Sequence, residues 1–310
     1  MSRTKQTLIK LQGFIDLARL RIVGLVLVSC AIGYVLSDGR HFTPLPLLWA
    51  LLGTAFLSAG SCTLNCYLER ERDSLMERTA GRPLPAGLLS PNQALLFGLG
   101  LCTAGCFILL LKTNWLASLL GLAAAFVYLL VYTPAKRITW LNTSIGAIPG
   151  AIPPLIGWAA GCGQLGLGAW LLFAMMFVWQ HTHFYPIAWL LKEDYARAGF
   201  QMLPVLEENG ATTFKSTLAT AVLLIPISIL LYQFKLAGPA YCAAATFMGI
   251  LLVISAMRLL KLKSRKAAGS VLALSLFYLP VLLTAIVVDR CDMQLGRQMQ
   301  TWLTLAAPWT

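Results

Sequence analysis

Apolar residues in this chain neither alternate nor form narrow stripes; they run in long blocks separated by short polar connections. Nine blocks are near the roughly 20 residues that a helix needs to cross a hydrocarbon layer of about 30 Å. They lie near 20–37, 47–68, 93–111, 115–133, 144–160, 168–190, 216–234, 237–260 and 269–288. The fifth is short and interrupted by Gly146, Pro149, Gly150, Pro153 and Pro154. That pattern predicts a kinked helix whose freed carbonyls need neighbours or a polar cavity. Ahead of the first block, Leu8, Leu11, Ile15 and Ala18 fall at helical spacing with Phe14 beside them. They predict an interfacial helix over residues 1–19 that leads into span 1. The first apolar block continues to about residue 37 without a small-residue cleavage site, so it is expected to stay as a membrane helix.

Composition agrees with the pattern. Of 310 residues, 58% are hydrophobic and 12% charged, and mean hydropathy is +0.74. A soluble fold cannot hide that much apolar surface, and disorder, collagen, a coiled coil or a small disulfide scaffold do not fit the same figures. The chain reads as an all-α polytopic membrane bundle of nine helices, one domain over 1–290 with a tail over 291–310 that carries Trp302 and Trp309. Net charge is +12, which in a membrane protein reports topology before nucleic acid. With nine spans, 19 of the 24 Lys and Arg residues fall on one side together with the N-terminus, and Arg40, Lys112, Lys235, Arg290 and Arg297 fall on the other. This predicts a cytoplasmic N-terminus and an external C-terminus in a bacterial plasma membrane. The cysteine pairs Cys62/Cys66 and Cys102/Cys106, at i,i+4, read as small packing residues rather than metal ligands.

Acidic residues are few, and eight of the twelve occupy two segments on the predicted cytoplasmic side. In the first, Asn65, Glu69 and Asp73 are each four apart and stack on one helix face. Arg78 and Arg82 follow. Such a stripe suits a hard cation such as Mg²⁺ shared with phosphate oxygens that the arginines grip. The same spacing is also that of an amphipathic helix end with surface ion pairs, such as Glu69 with Arg72. The second segment, Lys192-Glu193-Asp194-Tyr195-Ala196-Arg197, has adjacent carboxylates that point about 100° apart, so one is expected to face inward. Upstream lie Trp179, Gln180, His181 and His183, polar groups that are expensive at membrane depth. His183 and Asp194, 11 residues apart, return to nearly the same helix face if Pro186 leaves the register intact. A buried histidine bonded to a neighbouring helix is the alternative.

Residues 65–85, N-C-Y-L-E-R-E-R-D-S-L-M-E-R-T-A-G-R-P-L-P, closely resemble the first aspartate-rich motif of the intramembrane aromatic prenyltransferase (UbiA-type) superfamily. The M-x-R-T-x-x-R-P-L part is similar to its protoheme IX farnesyltransferase branch. Tyr132-Thr133-Pro134-Ala135-Lys136-Arg137 with Asn142, and Trp179-Gln180, His183-Phe184 and Asp194-Tyr195, resemble that branch's later signatures. Glu69 stands where the superfamily usually has Asp, and Thr182 where it usually has Pro. The resemblance implies a cytoplasmic-side active site over a central apolar cavity. It implies farnesyl diphosphate held through Mg²⁺ by Asn65, Glu69, Asp73 and Asp194, with Arg78, Arg82, Lys136, Arg137, Lys192 and Arg197 on the diphosphate. Heme b is implied as the acceptor substrate rather than a cofactor, met by His183 (axial ligation or propionate contact), Trp179, Gln180, Tyr132 and Asn142. Heme O is the implied product, with a heme A synthase as partner and no nucleic acid. Two alternatives compete: a prenyltransferase acting on a quinone precursor, and a transporter, although a transporter would set its acids near the midplane.

Overall fold

The computed structural model describes the backbone of residues 3–37 and 43–306, and the side chains of 7–37 and 43–289. Among the described residues all regular structure is helical. In chain order the helices are α1 (Arg3–Ala18), α2 (Leu20–Ser37), α3 (Pro44–Asp73), α4 (Glu77–Ala80), α5 (Pro91–Lys112) and α6 (Trp115–Phe126). A π-helical turn, Val127–Tyr132, joins α6 to α7 (Thr133–Ile138). Then come α8 (Asn142–Ala151), α9 (Pro153–Cys162), α10 (Leu167–Leu190) and α11 (Lys192–Arg197). After a short 3₁₀ turn, α12 (Ala211–Gln233), α13 (Pro239–Leu262) and α14 (Arg265–Ala306) complete the bundle. Arg40, His41 and Trp309, and the side chains of Arg290, Arg297 and Trp302, lie outside the described residues. The backbone of the predicted tail continues α14 as far as Ala306.

Among the described residues, eight segments are long and apolar enough to cross a membrane. The sixth predicted span, α10, is a helix of 24 residues, but its Gln180-His181-Thr182-His183 run dilutes its apolar content and it does not qualify by composition. It nevertheless stands at the centre, packed on α8, α9, α12 and α14. A helix buried on nearly every side needs no single apolar stripe. The predicted kink in the fifth span is a break at Ile152, between α8 and α9, where Pro153 and Pro154 supply no backbone N–H. On α1, Leu8, Leu11 and Ile15 are exposed, whereas Ala18 turns inward beside buried Leu17, so the stripe is one residue shorter than its spacing predicts. Phe14 packs edge-on against Phe97, which ties α1 to α5.

Lipid tails are as apolar as leucine, so helices in a bilayer associate through close packing rather than through the hydrophobic effect. The α2–α9 seam shows this. A Cβ added to Gly33 would lie 1.9 Å from the Pro154 carbonyl oxygen, and one added to Gly157 would lie 1.8 Å from that of Cys30. The predicted cysteines behave as packing residues: Cys30, Cys62, Cys66, Cys102, Cys106, Cys162 and Cys242 are all free thiols. An apolar crevice between α2, α9, α10 and α14 is lined by Ile32, Pro154, Met175, Met176, Leu279 and Leu283, among others.

Gly157→Ala should therefore lower the thermal midpoint in detergent, because backbone rather than a movable side chain blocks the new methyl. Gly24→Ala, with nothing within 4 Å of the added carbon, should leave the midpoint unchanged or raise it slightly through helix propensity. Equal midpoints for the two variants would contradict this packing.

Candidate functional site

The last turns of α3 carry Asn65, Glu69 and Asp73 on one face, and all three are buried, at 1%, 4% and 1% exposure. Carboxylates there sit at the negative end of the helix dipole and out of water, which is doubly unfavourable. Other segments supply the compensation. Lys136 Nζ, from α7, donates to both Glu69 oxygens at 2.7 and 3.0 Å. Arg82 Nη1 donates to Asp73 Oδ2 at 2.6 Å. Asn65 Nδ2 donates to Thr133 Oγ1 at 3.0 Å. The surface pair of Glu69 with Arg72 is not formed; Arg72 donates instead to the Ala198 carbonyl at 3.0 Å.

Local chain geometry explains the reach of Lys136. Pro134 has no N–H to continue the α-helical ladder, and the turn before it widens into the π form. There Thr133 Oγ1 donates to the Tyr128 carbonyl at 2.9 Å, and the Tyr128 and Tyr132 rings stack at 5.6 Å. Lys136 Nζ sits 4.6 Å from the Tyr132 ring centroid while it holds Glu69.

The second acidic segment closes over the first. Helix α10 stops at Leu190, and Leu191 leaves helical geometry (φ −110°, ψ 17°) before α11 begins, so the predicted register from His183 to Asp194 is broken. The predicted division of the adjacent carboxylates is present: Asp194 is buried and Glu193 exposed. Asp194 pairs with Arg197, whose Nη1 also donates to Glu77 Oε1 at 2.8 Å. Met76 packs with Ala198, Phe200 and Met202. Gln201 N donates to the Lys136 carbonyl at 2.6 Å, and Asn142 Nδ2 donates to the Gln201 carbonyl at 2.9 Å. Burial pushes the Tyr195 phenol up from its ordinary value; Tyr132 adds to the rise, and Arg78 and Lys136 oppose it.

Two buried side-chain oxygens, Asn65 Oδ1 and Asp73 Oδ1, have no hydrogen-bond partner, and among the described residues no other buried side-chain nitrogen or oxygen lacks one. Protein interiors seldom leave such atoms unpaired. Both are hard oxygen donors on the same stripe, one turn either side of Glu69, which fits a divalent cation whose remaining ligands are not protein. No three His, Cys, Asp or Glu side chains among the described residues gather closely enough to hold a metal by themselves. Asp194 in particular stays with Arg197.

The remaining predicted residues divide. Arg78 and Arg137 are exposed, while Lys192 Nζ lies 4.4 Å from the Trp189 ring centroid. Gln180 Nε2 donates to the Ala147 and Met176 carbonyls and thereby ties α10 to α8. Trp179 Nε1 donates to the Ser275 carbonyl at 2.9 Å, and its ring stacks on His183 at 5.0 Å. Ser275 Oγ donates its one proton to the Leu272 carbonyl, so it accepts from His183 Nδ1 at 2.8 Å. His183 Nε2 is then the bare nitrogen. Residues not anticipated as site members include Arg72, Thr133, Tyr128 and Arg19, whose Nη2 lies 3.5 Å from Cys66 Sγ. Arg72 and Thr133 stand within the stretches quoted above, whereas Tyr128 and Arg19 lie outside them.

The sequence matches the UbiA prenyltransferase family over residues 26–280. It is 40% identical over 289 residues to the protoheme IX farnesyltransferase of Solibacter usitatus, covering 90% of this chain and 99% of that one. Among solved structures, a digeranylgeranylglyceryl phosphate synthase superposes with a TM-score of 0.75 at 22% identity, covering 90% of this chain and 98% of that one. A UbiA homologue from Archaeoglobus fulgidus bound to GPP and Mg²⁺ superposes with a TM-score of 0.61 at 18% identity, covering 89% and 99%.

The buried pair sets a thermodynamic test. Lys136→Met should destabilise by about 3–5 kcal/mol, because it leaves a charged Glu69 inside the protein. Adding Glu69→Gln should recover most of that loss. Denaturant unfolding of the single and double variants in micelles measures both, and additive losses would contradict the pairing.

Proposed function

The chain belongs to the UbiA prenyltransferase family, and on that footing we propose that it is an integral membrane enzyme that transfers the farnesyl group of farnesyl diphosphate to a vinyl group of heme b. Water adds in the same reaction, so the products are heme O and diphosphate. The unpartnered oxygens of Asn65 and Asp73 support this most directly, because they give a metal–diphosphate somewhere to sit. Asn65, Glu69 and Asp73, with Asp194 from the opposing loop, would hold Mg²⁺. When bound, the ion neutralises diphosphate charge and makes it a better leaving group.

The chain's own residues do the rest. Lys136 and Arg82 already stand at the carboxylates, where they can take phosphate oxygens as the C–O bond breaks. Arg78, Arg137, Lys192 and Arg197 add positive charge around the mouth and favour approach of diphosphate and of heme propionates. Below them the helices exclude water, so the allylic cation survives long enough for the vinyl group to attack it. Tyr128 and Tyr132 offer aromatic faces at that level, and cations are attracted to such faces. His183 and Trp179, stacked and locked onto α14, form the heme contact, supported by Gln180 and Asn142.

The N-terminus and the mouth face the cytoplasm, with α1 lying on the surface of a bacterial plasma membrane. A heme A synthase, which consumes heme O, is the natural partner.

Incubating purified protein with Mg²⁺, heme b and farnesyl diphosphate, then weighing the pigments, tests the activity; recovery of heme b alone would refute it. Asp73→Ala should abolish heme O formation while circular dichroism and membrane insertion stay as in the unaltered protein, and undiminished product would remove the metal–diphosphate role. His183→Ala should weaken heme retention more than farnesyl diphosphate binding, and the reverse order would remove the heme contact.

A further inference from the structure

One pair of polar side chains inside the bundle has no part in the scheme above. His181 lies on a face of α10 where aromatic rings succeed one another at helical spacing: Phe173 to Phe177 at 6.1 Å, Phe177 to His181 at 4.7 Å, and His181 to Tyr185 at 5.7 Å. Both its ring nitrogens are engaged. Nδ1 is 2.7 Å from the Phe177 carbonyl oxygen, and Nε2 is 2.9 Å from Ser144 Oγ on α8. A carbonyl only accepts, so the ring proton is on Nδ1, and Nε2 accepts from the Ser144 hydroxyl. The result is a hydroxyl backed by a bare imidazole nitrogen, which is in turn oriented by a backbone oxygen. Tyr185, one turn further along α10, interacts with the same hydroxyl.

The pair adjoins the charged mouth. Ser144 stands in the first turn of α8, two residues after Asn142, whose Nδ2 donates to the Gln201 carbonyl, and Gln201 N in turn donates to the carbonyl of Lys136. Ser144 is half-buried while His181 is 5% exposed, so the hydroxyl is the outward member and the imidazole the inner one. Polar groups at membrane depth are costly, and α8 is already tied to α10 by Gln180. A second tie built from an ionisable group is redundant as structure.

We propose that Ser144 and His181 form the relay that receives the proton of the water that ends the reaction, an inference that rests on the farnesyl-transfer reading. The vinyl electron pair forms the new C–C bond to the farnesyl C1 as the C–O pair departs with diphosphate. The inner vinyl carbon is left electron-deficient. Water oxygen donates a pair to that carbon, the Ser144 hydroxyl accepts a proton from this water, and its own proton passes to His181 Nε2. Without the relay, the same cation loses a proton from the adjoining methylene instead and gives an alkenyl heme lighter by one water.

The readout is the ratio of hydroxylated to alkenyl product, which does not depend on how much protein is folded. His181→Gln keeps a hydrogen-bonding side chain but no base, and Ser144→Ala removes one oxygen. Each should shift the ratio toward alkenyl heme by about a hundredfold or more, the lower end of a general-base effect. An unchanged ratio in both variants, with total product merely reduced, would show a structural tie and overturn the proposal. Should His181→Gln fail to fold, the result with Ser144→Ala decides. If the unaltered protein makes no prenylated heme of either kind, the farnesyl-transfer reading fails instead.

Discussion

Two carboxylates and an amide are held out of water at the C-terminal turns of α3, where the helix dipole already disfavours negative charge. An unpaired buried carboxylate costs several kcal/mol, so the neighbouring chain is shaped by the need to bring cations to it. The π turn before Pro134 carries Lys136 to Glu69. The segment after α3 folds back through α4 until Arg82 reaches Asp73. The segment after α10 is drawn onto the same spot by Arg72, Met76 and Asn142. The site is thus a neutralised concentration of charge over an apolar bundle, with two oxygens of the stripe left unsatisfied.

On the proposed reading the neutralisation has a chemical use: each cation that stabilises a carboxylate at rest would stand where a diphosphate develops charge, so the arrangement would need little reorganisation during reaction. Beneath it, the polar residues of α10 are not spread at random. Trp179 and His183 turn to α14, Gln180 and His181 turn to α8, and most of the apolar remainder packs into the core. One helix therefore anchors neighbours on both sides, and its polar run is why it falls short of a membrane span by composition although it is largely enclosed.

Much of this could be read from the chain before any coordinates. The apolar blocks located the helices because nothing else accommodates blocks of that length, and the glycines and prolines of the fifth block signalled a break that falls just before Pro153. The i,i+4 stripe was legible because it lies within one unbroken helix. Relationships between helices were not. Spacing alone suggested Arg72 for Glu69, whereas the partner is Lys136, 67 residues away and delivered by a π turn that has no periodic signature. The His183–Asp194 register assumed a helix continuous to residue 194, but α10 ends at Leu190. The role of Asn142 as a clamp on the Gln201 carbonyl depends on how two loops dock, and no local pattern encodes docking.

The central claim is that the stripe on α3 seats a divalent ion together with the diphosphate of an isoprenoid. Anomalous scattering from crystals grown with Mn²⁺ and a non-hydrolysable farnesyl diphosphate analogue addresses it directly. The expected result is strong metal density within bonding distance of Asn65 Oδ1 or Asp73 Oδ1, bridged by the phosphates, which also reach Lys136 and Arg82. Metal and phosphates found elsewhere, with both ion pairs of the stripe intact, would contradict it.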